Sequence, residues 1–313
     1  AGLSALIGLA NPAFFSVANI FDLLKSGITL GLFAMGLLAV IVSGGIDVSF
    51  PAIAAACMYV TCSLALRIGW IDHVALLMAG ATLLGVALGC VNAALVYFFR
   101  LPALIVTLAT ASVIRGAVLE FVGTRNITNL PPSLIAFSRL SLWDRVLASG
   151  ETTSLTASVL LLVVAALLVG GLLNYTLIGR GIFAMGGDPT AAVRVGFGLR
   201  RIHFCVYGLM GGLAGLAGLI HASVIRNANP KDLSGVELTV IAAVVIGGAS
   251  LTGGRGSVIG TLLGVALMVI VTRNLVLVGV PSEWHSVALG LLILVSTTIT
   301  ALHARRLPGG AWS

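Results

Sequence analysis

Long apolar runs separated by short polar breaks dominate the chain, and the runs show no two-residue alternation. Runs of about 20 residues match the length an α-helix needs to cross a hydrocarbon core. A membrane strand would instead alternate over about 10 residues. The pattern therefore predicts an all-α integral membrane protein. Spans are expected at 22–43, 51–66, 74–99, 103–121, 154–173, 202–222, 256–275 and 284–302, with a broken apolar stretch at 237–252. Residues 1–10 read as the tail of a first span that begins before Ala1, which makes about ten helices in all.

Two breaks fall inside apolar stretches, one in each half of the chain. The first runs through Ser43, Gly44, Gly45 and Asp47 to Pro51, where Asp47 or Ser49 is placed to cap the restarting helix. The second passes from Ile246 through Gly247, Gly248 and Ser250 to the glycines around Arg255, and its apolar part is too short to cross before the glycines begin. Irregular backbone at membrane depth is tolerated where it is buried in protein or lines a cavity. Interrupted helices in both halves of a chain point to a translocation path. The candidate path residues are Ser43, Gly44, Gly45, Asp47, Ile246, Gly247, Gly248 and Ser250. An ordinary tight turn between two spans explains the first break equally well.

The polar segments divide into two kinds. Residues 122–152 form the longest, read as a loop with an amphipathic portion near 138–147. Residues 174–201 are too polar for lipid and carry Arg180, Arg194, Arg200 and Arg201. Within them a short helix is expected at 187–198. Asp188 is a good N-cap, Pro189 suits the first helical position, Ala191 and Ala192 favour helix, and Gly196 and Gly198 stop it. A capped basic helix between spans is a docking point for a soluble partner, or an ordinary loop helix. On the fifth span, Arg115 and Glu120 read as a structural charge pair near a helix end. Glycines four apart, Gly85 with Gly89 and Gly211 with Gly215, mark close helix contacts.

Composition narrows the class further. The chain is 59% hydrophobic and 9% charged, with mean hydropathy +1.15, which excludes a soluble domain of this size. Formal net charge is +7, but no basic patch supports nucleic-acid binding. Cys57, Cys62, Cys90 and Cys205 lie in apolar runs without metal-ligand spacing and read as small buried hydrophobes. The histidines are scattered, so no catalytic constellation forms. Neither lysine, Lys25 nor Lys231, sits in a Gly-Lys-Ser/Thr loop, so the chain has no phosphate-binding motor of its own. Few spans carry ionisable groups, which weakens proton or sodium coupling. If transport is active, the motor is a separate protein. Counting spans places Arg100, Arg180, Arg194, Arg200, Arg201 and Arg255 on one side, together with the C-terminal Arg305 and Arg306. The positive-inside rule makes that side cytoplasmic by a narrow margin.

The segments SGGID at 43–47, GRGIFAMGGDPTAAVRVG at 179–196 and ELTVIAAVVIGGASLTGGRGSVIGTLLGVAL at 237–267 resemble the permease subunits of bacterial ABC importers for monosaccharides, the ribose/xylose/arabinose/galactofuranose group. The resemblance runs over nearly the whole chain and implies one transmembrane permease domain over 1–313, in the bacterial inner membrane, with both termini cytoplasmic. It implies import of a monosaccharide by a permease pair, homo- or heterodimeric. Two ATP-binding subunits would hold the ATP and magnesium, and a periplasmic sugar-binding protein would deliver the solute. No cofactor, metal or catalytic residue is expected in this chain. In such permeases a coupling helix precedes the seventh span, with an Ala-Ala-x-x-x-Gly core that Ala191, Ala192 and Gly196 match. Gly187, Asp188, Pro189, Ala191, Ala192, Arg194 and Gly196 are therefore the expected contact with the motor. Two positions depart from the family pattern: Asp188, where Asn is common, and Phe50-Pro51, where a Gly is common. Relatives that import autoinducer-2, nucleosides or branched-chain amino acids leave the solute open. A passive channel would need a paired pore motif, and the chain has only a single Asn11-Pro12-Ala13.

Overall fold

The computed structural model describes residues 12–69, 71–146 and 152–277, with Trp284, Val287, Gly290, Leu291, Leu294 and Thr298 beyond them. The expected first-span tail, most of the last span and the C-terminal arginines lie outside these residues. Eleven helices are described: α1 (Val17–Val42), α2 (Phe50–Ile68), α3 (Val74–Phe99), α4 (Ala103–Ala117), α5 (Pro132–Arg139), α6 (Ser158–Tyr175), α7 (Leu177–Gly187), α8 (Pro189–Arg194), α9 (Leu199–Ile225), α10 (Val236–Ile246) and α11 (Val258–Leu277). A π-turn, Val118–Val122, extends α4. Among the described residues six helices are long and apolar enough to cross a membrane: α1, α2, α3, α4 with its π-turn, α6 and α9.

Helix α1 is the axis of the bundle. Over 30–42 its sequence is apolar on every side, and every residue over 31–42 is buried. It begins five positions before the expected Asp22, because Ser16 caps it by accepting the Asn19 amide at 3.2 Å. Lipid is as apolar as a leucine face, so association must come from close packing rather than from the hydrophobic effect. The α3–α9 pair shows how. A Cβ on Gly85 would collide with the Gly211 carbonyl, and one on Gly211 would lie 3.0 Å from the Gly89 amide. Only hydrogen at these positions lets the two backbones touch.

Three expectations are corrected. The portion near 138–147, expected as amphipathic loop, holds regular structure. After α5 the chain forms an antiparallel hairpin, β1 (Ser141–Val146) with β2 (Thr152–Thr156), pairing Trp143 with Leu155 and Arg145 with Thr153. The β-branched run TTSLT favours strand over helix, so the fold is α-helical with one small hairpin. The 174–201 segment is more than a polar loop, since α7 fills its first half with Ile182 and Met185 buried. Arg115 does not pair with Glu120; its Nη2 reaches Glu237 Oε1 on α10 at 2.8 Å.

The described connections gather at two ends of the bundle. The hairpin, the Tyr59–Arg125 contact and the Ile127–Ala228 bridge lie at one end, where the Trp143 ring also meets Phe21 at the start of α1. The close of α1, helix α8 and the 247–257 loop meet at the other, joined by the Gly254 amide on the Val42 carbonyl. Arg200, at the start of α9, stacks there over Phe98 and Phe204 at 5.5 and 5.9 Å.

Candidate coupling and translocation site

Helix α8 is short, and both its ends are fixed by local chemistry. Asp188 Oδ1 accepts the Thr190 amide at 2.8 Å, the Thr190 hydroxyl at 2.7 Å and the Ala191 amide at 3.1 Å. The Thr190 hydroxyl first, then the two amides, hold the Asp188 carboxyl below its ordinary range, so the cap is charged at neutral pH. At the far end the Gly196 amide donates to Val193 O at 2.9 Å and the Phe197 amide to Ala192 O at 3.0 Å. That is the Schellman arrangement, and it places Gly196 at φ +96°. Phe197 then lies against α7, where a side chain on Gly181 would meet its Cδ1 at 3.0 Å.

Of the expected contact residues, Gly187, Asp188, Pro189, Ala191, Arg194 and Gly196 are exposed, while Ala192 is buried and anchors the helix to the bundle. Two residues the sequence reading passed over stand out: Val193 and Val195 are 54% and 78% exposed. An exposed valine is invisible in an apolar sequence until the helix that carries it is known to lie outside the spans.

Two residues before the α8 cap, the chain enters a junction of four glycines. The Gly254 amide donates to Val42 O at 2.9 Å, which satisfies a terminal carbonyl of α1. Gly186, at the end of α7, is wedged between these two partners: a Cβ there would fall on Val42 O and 2.5 Å from Gly254 N. Gly253, at φ +88°, brings its Cα side to within 2.9 Å of Gly44 Cα by the same measure, and Gly44 has φ +87°. The ends of α1 and α7 and the loop after α10 are thus in backbone contact, directly beside α8. Helix α10 has 11 residues, about 16 Å of rise, half of what a bilayer core requires.

The candidate path residues separate. Ser43, Gly44 and Gly45 border a cavity of about 290 Å³ that is also lined by Met185, Pro189, His203 and Tyr207. Ser43 is itself bonded to Val40 O at 2.6 Å. Asp47 does not line this cavity and is fully buried. Its Oδ1 accepts the Ser49 amide at 2.7 Å and the Ser49 hydroxyl at 2.6 Å, and Asn92 Nδ2 of α3 donates to Ser49 Oγ at 2.7 Å. Asp47 rather than Ser49 therefore organises the start of α2, two residues ahead of the N-cap, and ties it to α3. Ile246 and Gly247 close α10, and Gly247 packs on Gly260 of α11. Gly248 faces open space at φ +93°, and Ser250 bonds the Thr252 hydroxyl at 2.7 Å.

A bundle of membrane-length apolar helices with a short capped helix at one end fits a membrane transport subunit. The family described as "Branched-chain amino acid transport system / permease component" matches residues 19–297, and the chain belongs to it. It is a multi-pass membrane permease subunit. Its relatives include the ribose import permease protein RbsC of Escherichia coli (strain K12), 32% identical over 95% of this chain and 90% of that protein. RbsC of Bacillus subtilis (strain 168) is 33% identical over 95% of this chain and 89% of that protein. The autoinducer 2 import system permease protein LsrC of Yersinia enterocolitica is 33% identical over 93% of this chain and 78% of that protein. No solved structure matches.

Proposed function

We propose that this chain is one half of the membrane conduit of an ABC importer for a monosaccharide, working in the bacterial inner membrane with α8 and both termini in the cytoplasm. The chain pairs with a second permease subunit. Two ATP-binding subunits, holding ATP and magnesium, dock on α8, and a periplasmic binding protein delivers the solute to the opposite face. The observation that carries this reading is the glycine junction. Displacing α8 must displace Gly186, and Gly186 is held between the end of α1 and the loop after α10. A push on α8 is thereby passed to the central helix and to the half-length helix together. About ten helices form the domain over 1–313, with the Gly44 break a turn between α1 and α2 and the Gly247 break ending the half-length α10. The chain binds and gates; covalent chemistry belongs to the motor.

The solute class rests on the ribose relatives, and the similarity to LsrC favours autoinducer-2 as the second reading. The test is uptake of labelled ribose and labelled autoinducer-2 into vesicles holding the permease with its motor and binding protein. ATP-dependent ribose accumulation is expected. Accumulation of autoinducer-2 alone would replace the first reading with the second, and accumulation of either without ATP would remove the importer reading.

A further inference from the structure

Helix α4 carries a charge where an apolar span should have none. Arg115 lies about 18 Å along the helix from Ala103, counting 1.5 Å per residue, well inside the segment Ala103–Val122. Its partner Glu237 comes from the first turn of α10, and the two side chains are 39% and 18% exposed in the single chain. Ionised groups at that depth face protein or water rather than hydrocarbon, because lipid leaves them unsolvated. The exposed part of this pair must therefore be covered by something other than acyl chains. Helical spacing puts Ser112 beside Arg115, three positions on, and beside Gly116, four positions on, so that Ser112 lies between the two. Ser112 is exposed, and a Cβ on Gly116 would find no atom within 4 Å. The π-turn at Val118–Val122 follows directly, a geometry common at functional sites.

We infer that the face of α4 bearing Ser112, Arg115 and Gly116, together with Glu237 of α10, is the solute-facing wall of the conduit, and that the Arg115–Glu237 pair binds an uncharged, hydroxylated solute as it passes. This rests on the importer reading above. One bond joins Arg115 Nη2 to Glu237 Oε1, whereas a guanidinium has five N–H donors and a carboxylate two acceptor oxygens. Donors and acceptors side by side with no net charge suit hydroxyl groups, which do both. A charged solute would be opposed by one member of the pair. The solute site so defined lies on α4 and α10, apart from the cavity beside Ser43 and Gly45.

The test has two arms, both on the assembled transporter in vesicles with Cys90 and Cys205 replaced by Ala. In the first, Ser112→Cys is treated with a charged, membrane-impermeant methanethiosulfonate, with Leu167→Cys as reference. Leu167 is 69% exposed in the middle of the apolar α6. Reaction at Ser112→Cys at least about tenfold faster is expected, since a charged reagent is excluded from hydrocarbon; equal rates would overturn the proposal. In the second, Arg115→Leu with Glu237→Leu removes the polar pair while keeping its bulk. Replacing a partly buried ion pair by apolar residues is often neutral for folding, so a merely structural pair predicts unchanged ribose uptake per complex. A loss of about tenfold or more is expected if the pair meets solute, and unchanged uptake would overturn the proposal. Should the double variant fail to assemble, the labelling arm decides alone. A wild-type complex that shows no ATP-driven uptake would instead count against the importer reading, and labelling at Ser112→Cys would still report on the wall.

Discussion

The amide of Gly254 donates to the carbonyl of Val42 at 2.9 Å, with Gly186 pressed against both atoms. Three chain segments far apart in sequence meet there through backbone alone. Backbone contact of this kind transmits displacement without side-chain rotamers to absorb it. Gly186→Ala is therefore expected to destabilise the complex by about 1–3 kcal/mol, as overpacking does, and to lower uptake per ATP hydrolysed. Gly171→Ala on α6, where a Cβ meets nothing within 4 Å, is expected to change neither. Thermal unfolding of the purified complex and the ratio of uptake to hydrolysis in vesicles measure both effects.

The cap of α8 separates charge from geometry. Asp188→Asn keeps an acceptor for the Thr190 and Ala191 amides and is expected to retain coupling, whereas Asp188→Ala removes the cap and is expected to loosen the start of the helix. The folded pKa of Asp188 is depressed, so its contribution is present above the ordinary carboxylate value and is lost as the pH falls through the lowered one. Hydrogen exchange at the Thr190 and Ala191 amides is the measurement: protection, corrected for intrinsic exchange, should stay flat around neutrality and fall only in acid below the ordinary carboxylate range. At the other end, Gly196→Val forces a β-branched residue into the left-handed region, a cost of about 1–2 kcal/mol. It should loosen α8 while Gly198→Val, at φ −81°, does not.

The α3–α9 contact makes a third expectation. Gly85→Leu drives a side chain into the Gly211 carbonyl and should abolish assembly of the folded permease. Gly80→Leu, on the same helix with no atom near its Cβ position, should be tolerated. Yield of monodisperse protein in detergent reads the difference.

Most spans were legible in the sequence because apolar runs of membrane length have no soluble alternative. The caps at Asp188 and Gly196 were legible because those residue types act locally. The hairpin was missed because SLWDRV offers charge and bulk in a pattern that fits either period, and only its pairing with TTSLT decides. Glu237 as the partner of Arg115 could not be read, since Glu120 is near in sequence and Glu237 is near only in the fold. The same holds for Asp47 and Asn92, which meet through Ser49 across two helices. Local signals survive in a sequence; long-range pairings between polar residues do not.

The most direct test of an externally driven permease lies on the exposed valines of α8. Val193→Asp and Val195→Asp alter only surface and should leave the bundle folded, while placing charge where the ATP-binding subunit must sit. Hydrolysis by the reconstituted complex is measured with and without solute-loaded binding protein. Loss of the stimulation, together with loss of uptake, is the expected result; full stimulation and full uptake in both variants would contradict a motor that works through α8.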